Sequence, residues 1–216
     1  MQYRCVIFDL DGTLLDTLED IGDSMNTALA EFNVPPYEID RYRYFVGDGM
    51  EVLARRVLPK ELCTEDNVSR CVTLMRREYA KRWANKTRPY AGIAELLNGL
   101  TSRRVACGVL SNKPHDFTCS IIQQILPEWR FDPLLGARPG VPKKPDPAAA
   151  LEIIALKKLR PEEFLYVGDT AVDMQTAIAA GMFPVGALWG FRTAEELKDA
   201  GARVLLQHPV DLLKLL

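Results

Sequence analysis

Arg4-Cys5-Val6-Ile7-Phe8-Asp9-Leu10-Asp11-Gly12-Thr13-Leu14 is the stretch on which the reading of this chain turns. From Arg4 to Phe8 it is a short apolar run, which predicts a buried strand. The run ends in two carboxylates, Asp9 and Asp11, on alternate positions, so both can face one crevice at the strand's end. Gly12 then permits a sharp turn and a close approach of backbone to a ligand.

From Asp16 the rhythm becomes helical. Leu18, Ile21, Met25, Ala28, Leu29 and Phe32 recur at three- and four-residue steps and share one face. Pro35-Pro36 stops that helix. Glu51 to Leu58 and Asn67 to Trp83 are rich in Arg, Glu, Leu and Met, with no Gly or Pro, and also predict helix. After Pro89 helices and strands alternate. Helices are expected at Ile93–Leu100, Phe117–Leu126, Pro147–Leu159 (capped by Asp146), Val172–Ala180 (ended by Gly181) and Ala194–Ala200. Strands are expected at Val105–Leu110, Phe131–Leu135, Phe164–Val167, Phe183–Leu188 and Val204–Leu206. The chain therefore predicts an α/β fold: a Rossmann-like, mostly parallel sheet with helices on both faces, interrupted by an all-helical insertion. The expected domains are an α/β core, residues 1–15 and 87–216, and a helical domain, residues 16–86.

In such sheets ligands bind at the carboxyl ends of strands. Asp9, Asp11, Ser111, Asn112 and Asp169 each follow a strand-like run. A carboxylate of ordinary pKa, ~3.9, is ionised at neutral pH and can attack phosphorus without a base. A second carboxyl nearby can protonate the leaving oxygen and then activate water. Gly168-Asp169-Thr170-Ala171-Val172-Asp173 puts two further carboxylates one helical turn apart, an oxygen-rich pair that suits Mg²⁺. Leu110-Ser111-Asn112-Lys113 offers a hydroxyl and an amide to a phosphate. Lys143-Lys144-Pro145-Asp146-Pro147 can aim one cation inward. Each stretch has a bland alternative: a capped turn, a helix N-terminus stabilised by acids, a solvated basic loop. Charge links them, because like charges at ~4 Å repel by ~4 kcal/mol at an effective dielectric near 20. Four carboxylates in one crevice therefore require a divalent cation and a lysine.

Taken in order, the four stretches resemble the motifs of the haloacid dehalogenase-like hydrolase superfamily: Asp-x-Asp-x-Thr, a Ser/Thr, a Lys, and Gly-Asp-x-x-x-Asp. The resemblance covers almost the whole chain and implies that the helical insertion is a cap. It implies Asp9 as nucleophile, Asp11 as general acid/base, and Lys144, which directly precedes Pro145, as the cation that neutralises the phosphoryl group and orients Asp9. It implies Mg²⁺ held by Asp9, Asp11 through its carbonyl, and Asp169, with Asp173 as ligand or outer support. Leu10, Gly12, Thr13, Ser111 and Asn112 become candidates for holding the substrate. The acid at Asp11 is similar to phosphatases and phosphoglucomutases, and unlike the dehalogenase and phosphonatase branches. Phe45-Val46-Gly47-Asp48-Gly49-Met50 resembles the substrate-facing cap loop of phosphoglycolate phosphatases, making Gly47, Asp48 and Gly49 candidates too; a simple helix-connecting turn is the alternative. Trp189-Gly190-Phe191-Arg192 resembles the same branch.

The implied activity is hydrolysis of a small phosphomonoester such as 2-phosphoglycolate. The alternatives are a hexose-phosphate mutase of the same superfamily and a phosphate-binding protein without catalysis. The chain has 216 residues, 48% of them hydrophobic, and a formal charge of -2 with acids and bases interspersed. No basic stripe predicts nucleic-acid binding, and no long apolar run predicts a secretory signal or membrane span. Five cysteines without Cys-x-x-Cys spacing predict free thiols and a cytoplasmic protein; a monomer or homodimer is expected. Of the two histidines, His208 is expected to be structural and His115 to start a surface helix, with a place near the rim of the site as the alternative.

Overall fold

The computed structural model describes residues 3–216. Met1 and Gln2, which open the expected core domain, lie outside the described residues. The strands are β1 (Cys5–Phe8), β2 (Leu15–Asp16), β3 (Arg88–Pro89), β4 (Ala106–Pro114), β5 (Leu134–Ala137), β6 (Phe164–Gly168), β7 (Phe183–Ala187) and β8 (Val204–Leu206). Six form one sheet in the order β5-β4-β1-β6-β7-β8. Every pairing in it is parallel. The short β2 and β3 pair separately, where the chain passes from one compact unit to the other and back.

One unit comprises the chain through Leu15 together with Pro89–Leu216; the other is Asp16–Arg88. The second unit contains α1 (Leu18–Ala30), α2 (Tyr42–Phe45), α3 (Met50–Val57) and α4 (Glu65–Arg82). Its core joins α1 to α4 through Met25, Leu29, Cys71, Met75 and Tyr79, all buried. It extends two residues beyond the expected residue 86. The reason is Asp20, whose carboxylate accepts bonds from Lys86 N, Thr87 N and Thr87 Oγ1, binding the returning chain to the first turn of α1.

The sheet unit adds α5 (Ile93–Ser102), α6 (His115–Ile125), α7 (Ala148–Lys157), α8 (Ala171–Ala179) and α9 (Ala194–Asp199). Adjacent strand residues point to opposite faces. Ile7 packs on one face with Phe164 and Tyr166 under Ala149, Ala150 and Ile153 of α7 and Ala177 of α8. Val6 and Phe8 point the other way and are equally buried, so both faces are covered. That is why β1 reads as an unbroken apolar run rather than an alternating one. No helix of the described residues is long and apolar enough to cross a membrane.

Several expected boundaries moved, most by one or two residues. The strand expected to stop at Leu110 continues to Pro114, with a register irregularity between Leu110 and Pro114, so Ser111 and Asn112 lie within it. The strand expected at Phe131–Leu135 is Leu134–Ala137, because its pairing is set by Val109 and Leu110 across the sheet. The helix expected at Pro147 has Pro147 at its cap position instead; Asp146 still accepts from Ala148 N, at 2.9 Å.

Candidate active site

The site grows from the turn after β1. Asp9 N donates to Val167 O of β6 at 2.9 Å, fixing the first carboxylate at the sheet's carboxyl edge. Leu10 O then accepts from the amides of Thr13, Leu14 and Leu15, which closes a tight turn. Gly12 sits at φ +86, and a Cβ there would overlap the Asp169 carboxylate. Glycine is required at this position on both counts.

Asp9 is nearly buried, and its Oδ1 lies 2.9 Å from Lys144 Nζ. The same ammonium lies 2.6 Å from Asp173 Oδ1 and donates to Leu110 O at 3.1 Å. Lys144 is held from behind by Asn112, whose Oδ1 accepts from Lys144 N while its Nδ2 donates to Lys144 O. Burial alone would push the ammonium's pKa down; Asp173 and then Asp9 outweigh it and hold it well above the usual lysine range. Asp173 turns its other oxygen to Thr170 N and Oγ1, closing the first turn of α8. Lys143, its neighbour, is exposed, which places Lys144 as the inward cation.

Asp169 is fully buried. Its Oδ1 accepts from Thr13 Oγ1 at 2.8 Å and its Oδ2 from Phe191 N at 2.9 Å. Trp189 Nε1 donates to Thr13 O, so the loop after β7 is pinned to the turn after β1. Between those contacts a Cβ at Gly190 would overlap Asp169.

Carboxylate oxygens of Asp9, Asp169 and Asp173 lie within 4.8 Å of one another. Among the described residues, one ammonium, that of Lys144, pairs with these three acids, leaving an excess of two negative charges. Asp11 is outside this count because Lys113 Nζ balances it, at 2.8 and 3.0 Å from its two oxygens. Burial and the neighbouring charges both disfavour the ionised acids. Burial, then Asp173, push the Asp9 carboxyl from 3.8 to about 7 despite Lys144. Burial, then Asp173 and Asp9, hold Asp169 well above the usual carboxylate range. Three clustered oxygen donors with two uncompensated charges fit a hard divalent cation.

The structure thus brings together Asp9, Asp11, Gly12, Thr13, Ser111, Asn112, Lys144, Asp169 and Asp173. Two of them are turned differently from expectation. The Asn112 amide grips the Lys144 backbone, and the Thr13 hydroxyl donates to Asp169, so both act as supports for charged groups. Ser111 is buried, and its Oγ accepts from Lys113 N. Gly47, Asp48 and Gly49 belong to the helical unit. There both glycines have positive φ, +121 and +89, and Asp48 pairs with Arg56 at 2.6 Å. Sequence reasoning gave no role to Lys113, Trp189 or Tyr166, whose hydroxyl donates to Leu110 O beneath Lys144. His115 accepts from Gly136 N, and His208 caps a turn through Asp211, so neither serves the cluster.

Comparison with known proteins agrees with this geometry. The family model described as haloacid dehalogenase-like hydrolase matches residues 6–187. Phosphoglycolate phosphatase 1 of Pseudomonas aeruginosa is 30% identical over 97% of this chain and 78% of its own length. Phosphoglycolate phosphatase of Aquifex aeolicus is 30% identical over 99% of this chain and 96% of its own. The crystal structure of a predicted phosphoglycolate phosphatase from Haemophilus somnus superposes with a TM-score of 0.91 at 27% identity, covering 100% of this chain and 98% of that one. A match that runs from the first strand to β7, over the same acids that the sheet brings together, makes this chain a member of the haloacid dehalogenase-like hydrolase family.

Proposed function

We propose that the chain is a Mg²⁺-dependent phosphatase acting on a small phosphomonoester, with 2-phosphoglycolate the first candidate, through an aspartyl-phosphate on Asp9. The observation that carries this is the charge balance: three buried carboxylates against one lysine, beside a separately neutralised Asp11. The relatives named for phosphoglycolate support the choice of first substrate.

In this reading an Asp9 oxygen attacks phosphorus, and the ester P–O bond breaks. Asp11 gives its proton to the leaving oxygen. Water then attacks the aspartyl-phosphate, Asp11 takes its proton, and phosphate leaves with Asp9 restored. Lys144 holds Asp9 in line and offers charge to the phosphoryl oxygens, with Ser111 as a further donor. Asp9, Asp169 and the Asp11 carbonyl would hold the cation, with Asp173 steadying Lys144. Bound there, Mg²⁺ would cancel the two excess charges, keep Asp9 ionised and stabilise charge on the phosphoryl group. The helical unit acts as the cap, and its Gly47–Gly49 turn takes part in substrate choice.

Phosphate release from a panel of small esters that includes 2-phosphoglycolate, with and without Mg²⁺, tests this beside Asp9→Asn. Mg²⁺-dependent release that vanishes in Asp9→Asn is expected. Release that survives that substitution, or none from any ester, would refute the reading.

A further inference from the structure

Two buried lysines divide the acids of this site between them. Lys144 serves Asp9 and Asp173; Lys113 serves Asp11. The Lys113 side chain is only 3% exposed, and it reaches Asp11 from 102 positions away in the chain. Taking an ammonium out of water is costly unless a fixed partner receives it. Here the partner receives it at two points, 2.8 and 3.0 Å.

The two residues differ in how firmly they are built. Lys113 stands on β4, in the sheet's interior, with its N–H tied to Ser111 Oγ. The Asp11 backbone is set by its bridge to Leu15, but its side chain is at the rim and 18% exposed. Rotation about its side-chain bonds is the freedom left to Asp11, and contact with both oxygens removes it. In the proposed reaction, Asp11 is a carboxylate once it has protonated a leaving oxygen, and that is the form that must take a proton from water; an ammonium held against both of its oxygens suits that form.

We propose that Lys113 is the positioning residue of the second half-reaction: it holds Asp11 as an oriented carboxylate between loss of the leaving group and attack of water. This rests on the reading of Asp11 as the acid/base. Lys113 itself neither gains nor loses a proton. In the step, water oxygen bonds to phosphorus, the Asp9–phosphorus bond breaks, and the water proton passes to Asp11. Losing only the orientation of a general base predicts a roughly 10- to 100-fold slower hydrolysis of the aspartyl-phosphate.

The test is rapid-mixing kinetics with p-nitrophenyl phosphate and Mg²⁺. Its leaving group departs without help, so the first half-reaction is spared. Lys113→Met is expected to show a burst of p-nitrophenolate approaching one per enzyme, then slow turnover. Lys113→Arg should recover part of the turnover, and Lys113→Met in an Asp11→Asn background should add no further loss. Lys113→Gln carries the same comparison if the Met variant does not fold. Equal loss in burst and steady state, or full additivity with Asp11→Asn, overturns the proposal while leaving the phosphatase reading intact. A wild-type protein that releases nothing from any ester refutes both.

Discussion

Asp9→Asn should stabilise the metal-free protein above neutral pH, although it removes the nucleophile. The reasoning is electrostatic. Burial and Asp173 push the Asp9 carboxyl from 3.8 to about 7 in the folded chain. A displacement of that size corresponds to about 4 kcal/mol of penalty on the charged form. The sign follows from linkage. A carboxyl raised on folding supports the fold most below its unfolded value, and that support is lost as pH rises through the folded one. Metal-free wild type should therefore lose stability between about pH 4 and pH 7 on account of this group. An asparagine has no charge to bury, and its amide oxygen can still accept from Lys144, whose contact with Asp9 is 2.9 Å. Allowing for imperfect replacement, a gain of roughly 2–4 kcal/mol at pH 8 is expected, or about 5–15 °C in Tm for a chain of this size. Thermal unfolding in EDTA at pH 5 and pH 8 measures it, and the gain should be largely absent at pH 5. Repeating the pH 8 melt with Mg²⁺ should raise wild type and leave the variant nearly unmoved. A variant less stable than wild type at pH 8 in EDTA would show that Asp9 is not a source of strain, and the charge-balance argument would fall with it.

Three further outcomes follow from the contacts around that cluster. Gly190→Ala, whose Cβ would overlap Asp169, should lower kcat at least ~10-fold, with Mg²⁺ titration showing weaker binding; an unchanged Mg²⁺ midpoint would count against it. Asn112→Ala strips both side-chain bonds from the Lys144 backbone and should cost about 1–3 kcal/mol in urea unfolding, with a lowered kcat. Asp20→Ala leaves Lys86 N and the Thr87 donors without their acceptor. It should cost about 1–3 kcal/mol and raise proteolysis at residues 86–88, which limited digestion reads directly.

The acids of the first and fourth stretches were legible because each lies just past an apolar strand, and strand ends of a parallel sheet converge. Asp9 follows Phe8 and Asp169 follows Gly168, and β1 and β6 are neighbours. Lys144 was legible for a different reason: the proline after it marked which of two adjacent lysines turns inward. Asn112 and Thr13 were expected to hold the substrate; in the structure the Asn112 amide meets the Lys144 backbone and the Thr13 hydroxyl meets Asp169. An amide or hydroxyl can face a ligand or a neighbouring charge equally well, and chain order does not distinguish them. Lys113 stood in view within Ser111-Asn112-Lys113, yet the strand was expected to end at Leu110. Only its continuation to Pro114 carries that ammonium beneath Asp11.

The sequence by itself determined the α/β class, the helical insertion and which carboxylates lie past strand ends, because periodicity and strand-end position are local properties that survive in one dimension. Tertiary structure alone decided the pairing of charges. Which lysine meets which acid depends on register between β1, β4 and β6 and on a loop that returns from Trp189, with contacts spanning up to 176 positions. Coulomb energy acts over a few ångströms of space and is blind to separation along the chain, so the division into a Lys144 set and a Lys113 set exists only once the sheet has formed.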